Sequence, residues 1–205
     1  MSDNTFSLRW RVVGGRIPLM GRHLRSLGPL GLSQPLAAWI RTRLEWALAN
    51  LVSARDDAVL CLAIDPAHDV SVTLEPLRAR PELSLECLVE AGEKVTGAVW
   101  EGESLEGVLF FEREGCLYAS APRLDSAVST LTADLARTLG IGVEVGCLSR
   151  AALAGAEAAF LASNEFGCVP VRLGGQEEWL GGRTSAKSAC ARLKACLEQV
   201  IPPVA

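Results

Sequence analysis

The residues best suited to chemistry gather between positions 147 and 171, CLSRAALAGAEAAFLASNEFGCVPV. Ser149 is suited to cap a short helix over 150–156, because a hydroxyl accepts from first-turn amides that lack a helical partner. The apolar run 158–161 then reads as a buried strand, and Ala162-Ser163-Asn164-Glu165-Phe166-Gly167 breaks it with a polar loop. Such a loop is one way to hold the anionic group of a ligand, and it is equally a way to turn the chain. His23 is a possible acid-base group, but beside Arg22 and Arg25 it reads first as a surface or helix-cap residue. Asp65, His68 and Asp69 have the atoms of a metal site, yet Asp65-Pro66 is what a turn requires, and the turn reading is preferred.

The elements that must position these residues follow from periodicity. Phe6, Leu8, Trp10 and Val12 alternate with Ser7, Arg9 and Arg11, the signature of a half-buried strand, and Gly14-Gly15 turns it. A short helix follows around His23 to Leu27. Ser33-Gln34-Pro35 starts a longer one, whose apolar face is Ile40, Leu44, Leu48 and Leu51. Trp39 and Trp46 flank that face and read as core or interface filler. The runs 58–64 and 70–74 form a hairpin around the Asp-Pro turn. Residues 78–82 read as a linker, which divides the chain into an N-terminal α+β lobe, 1–80, and a C-terminal lobe, 81–205. In the second lobe 108–111 and 116–119 form a hairpin. Asp125 or Ser126 caps a helix lined by Val128, Leu131, Leu135 and Leu139 and closed at Gly140, and 143–145 is a short strand. A last helix carries Leu193, Leu197 and Val200 and stops at Pro202-Pro203. Strands, hairpins and helices without regular β-α-β alternation argue for an α+β fold of two lobes.

Composition narrows the function. The 205 residues are 49% hydrophobic, enough for a real core, and the formal charge is −4 with 20 Lys and Arg spread along the chain. Nucleic acid is therefore not an expected partner. Seven cysteines contain no C-x-x-C pair and no histidine at metal-ligand spacing, which fits reduced thiols and no metal. No apolar run reaches membrane-span length, so a soluble cytoplasmic protein is expected.

From Phe110 to Val171 the text FFEREGCLYASAPRL, then LTADLARTLGIGVEVGCLSRAALAGAEAAFLASNEFGCVPV, resembles the class IV aminotransferases. These are the fold type IV pyridoxal 5′-phosphate (PLP) enzymes, which include branched-chain and D-amino-acid aminotransferases and 4-amino-4-deoxychorismate lyase. Gly15-Arg16-Ile17-Pro18-Leu19, His23-Leu24 and the hairpin at 58–74 extend the resemblance into the first lobe. It implies the D-amino-acid aminotransferase-like architecture with a truncated second lobe. It further implies PLP as cofactor, a small amino-acid-like substrate and a homodimer. PLP chemistry needs a Schiff-base lysine, an acid at the pyridine nitrogen and donors around the phosphate. By resemblance Lys94 is the catalytic lysine, Glu103 the pyridine acid, and Ser129, Ser163 and Asn164 the phosphate contacts. The family arginine after His-Leu falls on Ser26.

The family places a helix and a strand between its lysine and its acid, whereas here Glu103 follows Lys94 at once. Two readings result. One is a shortened PLP-dependent lyase or aminotransferase, nearest to 4-amino-4-deoxychorismate lyase because Ser163-Asn164-Glu165-Phe166-Gly167 resembles that branch's loop. The other is a non-catalytic descendant of the fold that binds a small ligand or a protein partner.

Overall fold

Alternating side chains build the first sheet. In the computed structural model, which describes residues 6–28, 34–51, 57–65, 69–80, 82–84, 88–91, 94–100, 103–105, 107–121, 124–146, 155–173 and 188–203, the chain divides into two compact units, Met1–Arg78 and Ala79–Ala205. The first contains β1 (Phe6–Val12), α1 (Met20–Ser26), α2 (Gln34–Leu51), β2 (Ala58–Ile64) and β3 (Val70–Pro76). The strands form an antiparallel sheet in the order β1-β2-β3, with Trp10 opposite Leu60 and Leu60 opposite Leu74. One face of this sheet meets Ile40 and Leu44 of α2 in a core that also holds Val12, Ile17, Leu27, Leu62 and Ile64. Each of these large side chains gains roughly 1.5–3 kcal/mol from leaving water.

Two readings of this unit are corrected by its packing. Arg11, on the face expected to meet solvent, is 2% exposed, and its guanidinium donates to Asp57 Oδ2 at 2.9 Å. The other oxygen of Asp57 accepts from Gly14 N at 3.4 Å, so one carboxylate ties the buried arginine to the Gly14-Gly15 turn. Trp39 and Trp46 are not core residues: they are 44% and 55% exposed, and Arg43 lies over the Trp39 ring. Asp65 and Asp69 do make a turn, since Asp69 N donates to Asp65 Oδ1 at 2.8 Å. Pro66 and His68 lie outside the described residues, as does the capped helix expected after Ser149.

The second unit has two sheets. β5 (Leu88–Ala91), β6 (Lys94–Trp100) and β7 (Glu103–Leu105) form an antiparallel three-stranded sheet once β4 (Leu83–Ser84) has been laid beside the larger one. The larger sheet adds β8 (Val108–Arg113), β9 (Cys116–Ser120), β10 (Val143–Gly146), β11 (Ala158–Ser163) and β12 (Gly167–Arg172), in the order β10-β9-β8-β11-β12-β4. α3 (Ala127–Thr138) carries the chain from β9 to β10, which pair in parallel, and α4 (Ala189–Val200) packs near β8, β11 and β12. β11 is buried along its whole length and β8 nearly so, which is why both read as continuous apolar runs without alternation. Phe110 and Phe160 sit opposite one another in the β8–β11 register and stack at 5.4 Å. Gly107 has no room for a side chain, because a Cβ there would lie 2.7 Å from Leu161 Cγ and 2.9 Å from the Ala162 carbonyl oxygen.

α3 also differs in detail from the periodicity. Its buried face is Ala127, Val128, Ser129, Thr132 and Ala136, while Leu131, Leu135 and Leu139 are only half-buried. Small residues let the helix lie close against the sheet, and the hydroxyl of Thr132 donates to the Val128 carbonyl rather than standing unpaired. α4 is anchored by a buried acid: Glu112 Oε2 accepts from the Ser188 hydroxyl and from Cys190 N at 3.2 Å. A carboxylate at a helix N-terminus also complements the helix dipole.

Candidate functional site

Ser126 starts the site. With extended backbone it caps α3, its hydroxyl oxygen accepting from Ser129 N at 3.1 Å and its carbonyl accepting from Thr130 N at 3.0 Å. The Ser126 hydroxyl donates to Ser129 Oγ at 2.8 Å, and Ser129 Oγ lies 3.1 Å from the Ser126 carbonyl oxygen. Ser129 is fully buried.

From the opposite side comes the polar loop. It is tighter than the sequence implies: Ser163 and Gly167 pair as the last rung of the β11–β12 hairpin, leaving only Asn164, Glu165 and Phe166 in the turn. Gly167 has φ +72°, a left-handed conformation that disfavours any side chain. The Ser163 oxygen accepts from Glu165 N at 3.2 Å and from Phe166 N at 3.5 Å, which folds the turn back on itself. Asn164 then reaches α3, where its Oδ1 accepts from Val128 N at 3.3 Å. Three of the residues singled out from sequence, Ser129, Ser163 and Asn164, are thus brought to one corner of the second unit. Glu165, buried in the same turn, was not singled out; an acid beside two polar residues looks like ordinary turn chemistry until the hairpin register is known.

Lys94 and Glu103 lie elsewhere, on the small sheet. Lys94 opens β6 opposite Ala91, and Glu103 pairs with Trp100 at the other end of the same strand. At ~3.3 Å per residue, about 20 Å of strand separates the two backbones. Both positions are strand.

In the first unit, Ser26 stands where the resemblance calls for an arginine, and its hydroxyl donates to the His23 carbonyl oxygen at 2.7 Å within its own helix. His23 is neither surface nor cap. It is buried and stacked on Trp10 with centroids 4.7 Å apart. Burial holds its imidazole down to about 3, with a hydrogen bond to the Pro18 backbone opposing the shift. Its Nδ1 and the Trp10 indole nitrogen are buried with no hydrogen-bond partner among the described residues. A neutral, enclosed imidazole of this kind is a poor acid-base group at neutral pH.

Two buried thiols of the second unit are held inert. Burial, with Glu198 adding to it, pushes Cys168 up to about 12, and burial beside Glu112 also raises Cys190, so both stay protonated. Among the described residues, no group of three or more His, Cys, Asp and Glu side chains is arranged to hold a metal ion.

No family model matches the chain, and no curated protein matches it in sequence. Solved structures do match its fold. The 4-amino-4-deoxychorismate lyase of Pseudomonas aeruginosa superimposes with a TM-score of 0.68 at 19% identity, covering 96% of this chain and 90% of the lyase. A hypothetical aminotransferase from Mycobacterium tuberculosis, in its apo form, gives 0.66 at 16% identity, covering 96% and 89%. An aminotransferase from Brucella abortus bound to PLP gives 0.59 at 16% identity, covering 96% and 90%. Identities this low speak for architecture alone, and on that architecture the comparisons agree: the chain has the α+β fold of 4-amino-4-deoxychorismate lyase and these aminotransferases.

Proposed function

We propose that this protein is a non-catalytic member of the aminotransferase-like fold, which binds a small amino-acid-like ligand or a protein partner without transforming it. The observation that carries this reading is that Lys94 opens β6 while Glu103, on β7, pairs with Trp100 at the far end of β6. Bound PLP supplies an electron sink, and it does so when a lysine meets its aldehyde carbon while an acid meets the pyridine nitrogen of the same ring. About 20 Å of strand between the two backbones sets them too far apart to grip the two ends of one ring. The pair does not fit the cofactor. The test is direct: purified protein mixed with PLP should stay free of a bound yellow chromophore, and borohydride should leave the Lys94 peptide unmodified by mass spectrometry. A pyridoxyl group fixed on Lys94 would overturn the reading.

A PLP-dependent 4-amino-4-deoxychorismate lyase or aminotransferase is the second reading. It is favoured by the meeting of the 163–166 turn with the start of α3, together with the likeness to a lyase and to a PLP-bound aminotransferase. Under it Lys94 is the catalytic residue, and Glu103, Ser129, Ser163 and Asn164 hold the cofactor. Turnover of aminodeoxychorismate, or of an amino-acid donor, that disappears in Lys94→Ala selects this reading over the first.

Under both readings we take the protein as a reduced, cytoplasmic homodimer. The cysteine spacing, with no C-x-x-C pair, supports the reduced state, and among the described residues no helix is long and apolar enough to cross a membrane. Light scattering on the purified chain tests the dimer.

A further inference from the structure

We infer that Asn164 closes the N-terminus of α3 with its own side-chain oxygen, so that the corner corresponding to a cofactor phosphate site is a self-contained joint and takes no phosphate. This goes beyond the proposed function and rests on different bonds from the Lys94 and Glu103 spacing.

The start of a helix attracts anions because its first amides have no helical partner. Here two of those amides, Val128 N and Ser129 N, are engaged within the chain. Val128 N donates to Asn164 Oδ1 at 3.3 Å and Ser129 N to Ser126 Oγ at 3.1 Å, while Thr130 N has already entered the helical ladder through the Ser126 carbonyl. The side-chain groups are engaged as well. Ser129 is turned into the cap by its contacts with Ser126, and the Ser163 oxygen is taken by the amides of Glu165 and Phe166. Ser129 and Ser163 are at most 1% exposed, so neither hydroxyl faces a ligand without unfolding the turn or the cap. An amide oxygen therefore stands where an anionic oxygen would stand, and it links β11–β12 to α3 in one covalently continuous chain, without a ligand.

The experiment follows the Val128 amide by 15N-resolved NMR in the full-length protein. In the wild type we expect slow hydrogen exchange at Val128 and no saturable shift of its signal on titration with inorganic phosphate or PLP. In Asn164→Ala the Val128 amide should exchange at least about tenfold faster, while Ala136 in the middle of α3 stays protected, and the melting temperature should fall by about 2–4 °C, the response of a chain this size to a lost cap. A saturable shift of Val128 with either probe in the wild type, or unchanged exchange in Asn164→Ala, overturns the inference. The wild-type titration decides the matter even if the variant does not fold. Borohydride trapping at Lys94 bears on the proposed function alone, so the two can fail separately.

Discussion

The two units satisfy their buried polar groups to different degrees. In the second unit, Glu112, Ser129, Ser163 and Ser188 each have a partner; Glu112 ties the start of α4 to β8, and Asn164 ties the start of α3 to the β11–β12 turn. In the first, Arg11 reaches Asp57, but Trp10 Nε1 and His23 Nδ1 are enclosed in stacked rings with no hydrogen-bond partner among the described residues. An enclosed group without a partner costs about 1–3 kcal/mol, whereas a satisfied one contributes a net gain of about 1. The second unit is thus built to hold its geometry, and the first carries a local deficit that solvent conditions can expose.

The largest expected effect tests the rigid side. Phe160→Ala, which removes a fully buried ring stacked between strands, should cost about 3–5 kcal/mol in urea unfolding. A much smaller loss would mean that the large sheet tolerates collapse and is not the firmer region. Next is the acid response of the first unit. His23 is held neutral when folded, near 3, against about 6.5 when unfolded. Its contribution is fully present above the unfolded value and is lost as pH falls from about 6.5 toward 3, on the order of a few kcal/mol. His23→Phe, which keeps the ring on Trp10, should flatten that slope; an unchanged slope would move the deficit elsewhere. Glu112→Ala comes third. It strands the Ser188 hydroxyl and the Cys190 amide and should cost about 1.5–3 kcal/mol, the range for hydrogen bonds to charged groups. The smallest effect belongs to Trp10→Phe. Deleting an unpartnered N–H offsets the lost ring volume, so stability should change by less than about 1 kcal/mol. A loss comparable with Phe160→Ala would show that the indole nitrogen has a partner after all.

Much of the scaffold was legible from local patterns. Alternation identified β1 and the β2–β3 hairpin, because a strand with one buried face writes its geometry into every second residue. A 3.6-residue period with a Pro-containing start identified α2. The β8–β9 hairpin, the Ser126 cap and the Gly140 stop of α3 were also readable, as was the likeness of 110–171 to a known architecture. Local patterns were least informative at the buried strands. The small sheet around 94–105 has no clean alternation, so its register, and with it the distance between Lys94 and Glu103, was hidden.

By itself, then, the sequence determined the α+β class, most element positions and the three residues, Ser129, Ser163 and Asn164, that meet in one corner. Only the tertiary structure decided what they do there. Whether a serine or asparagine faces a ligand or the backbone depends on which amide lies within about 3 Å of it, and that amide, Val128 N for Asn164, lies 36 residues away in the chain. The same holds for His23 and Arg11, which look like surface residues and are buried. Propensity and periodicity report how a segment meets solvent on average, while a side chain's partner is fixed by the packing of segments remote in sequence.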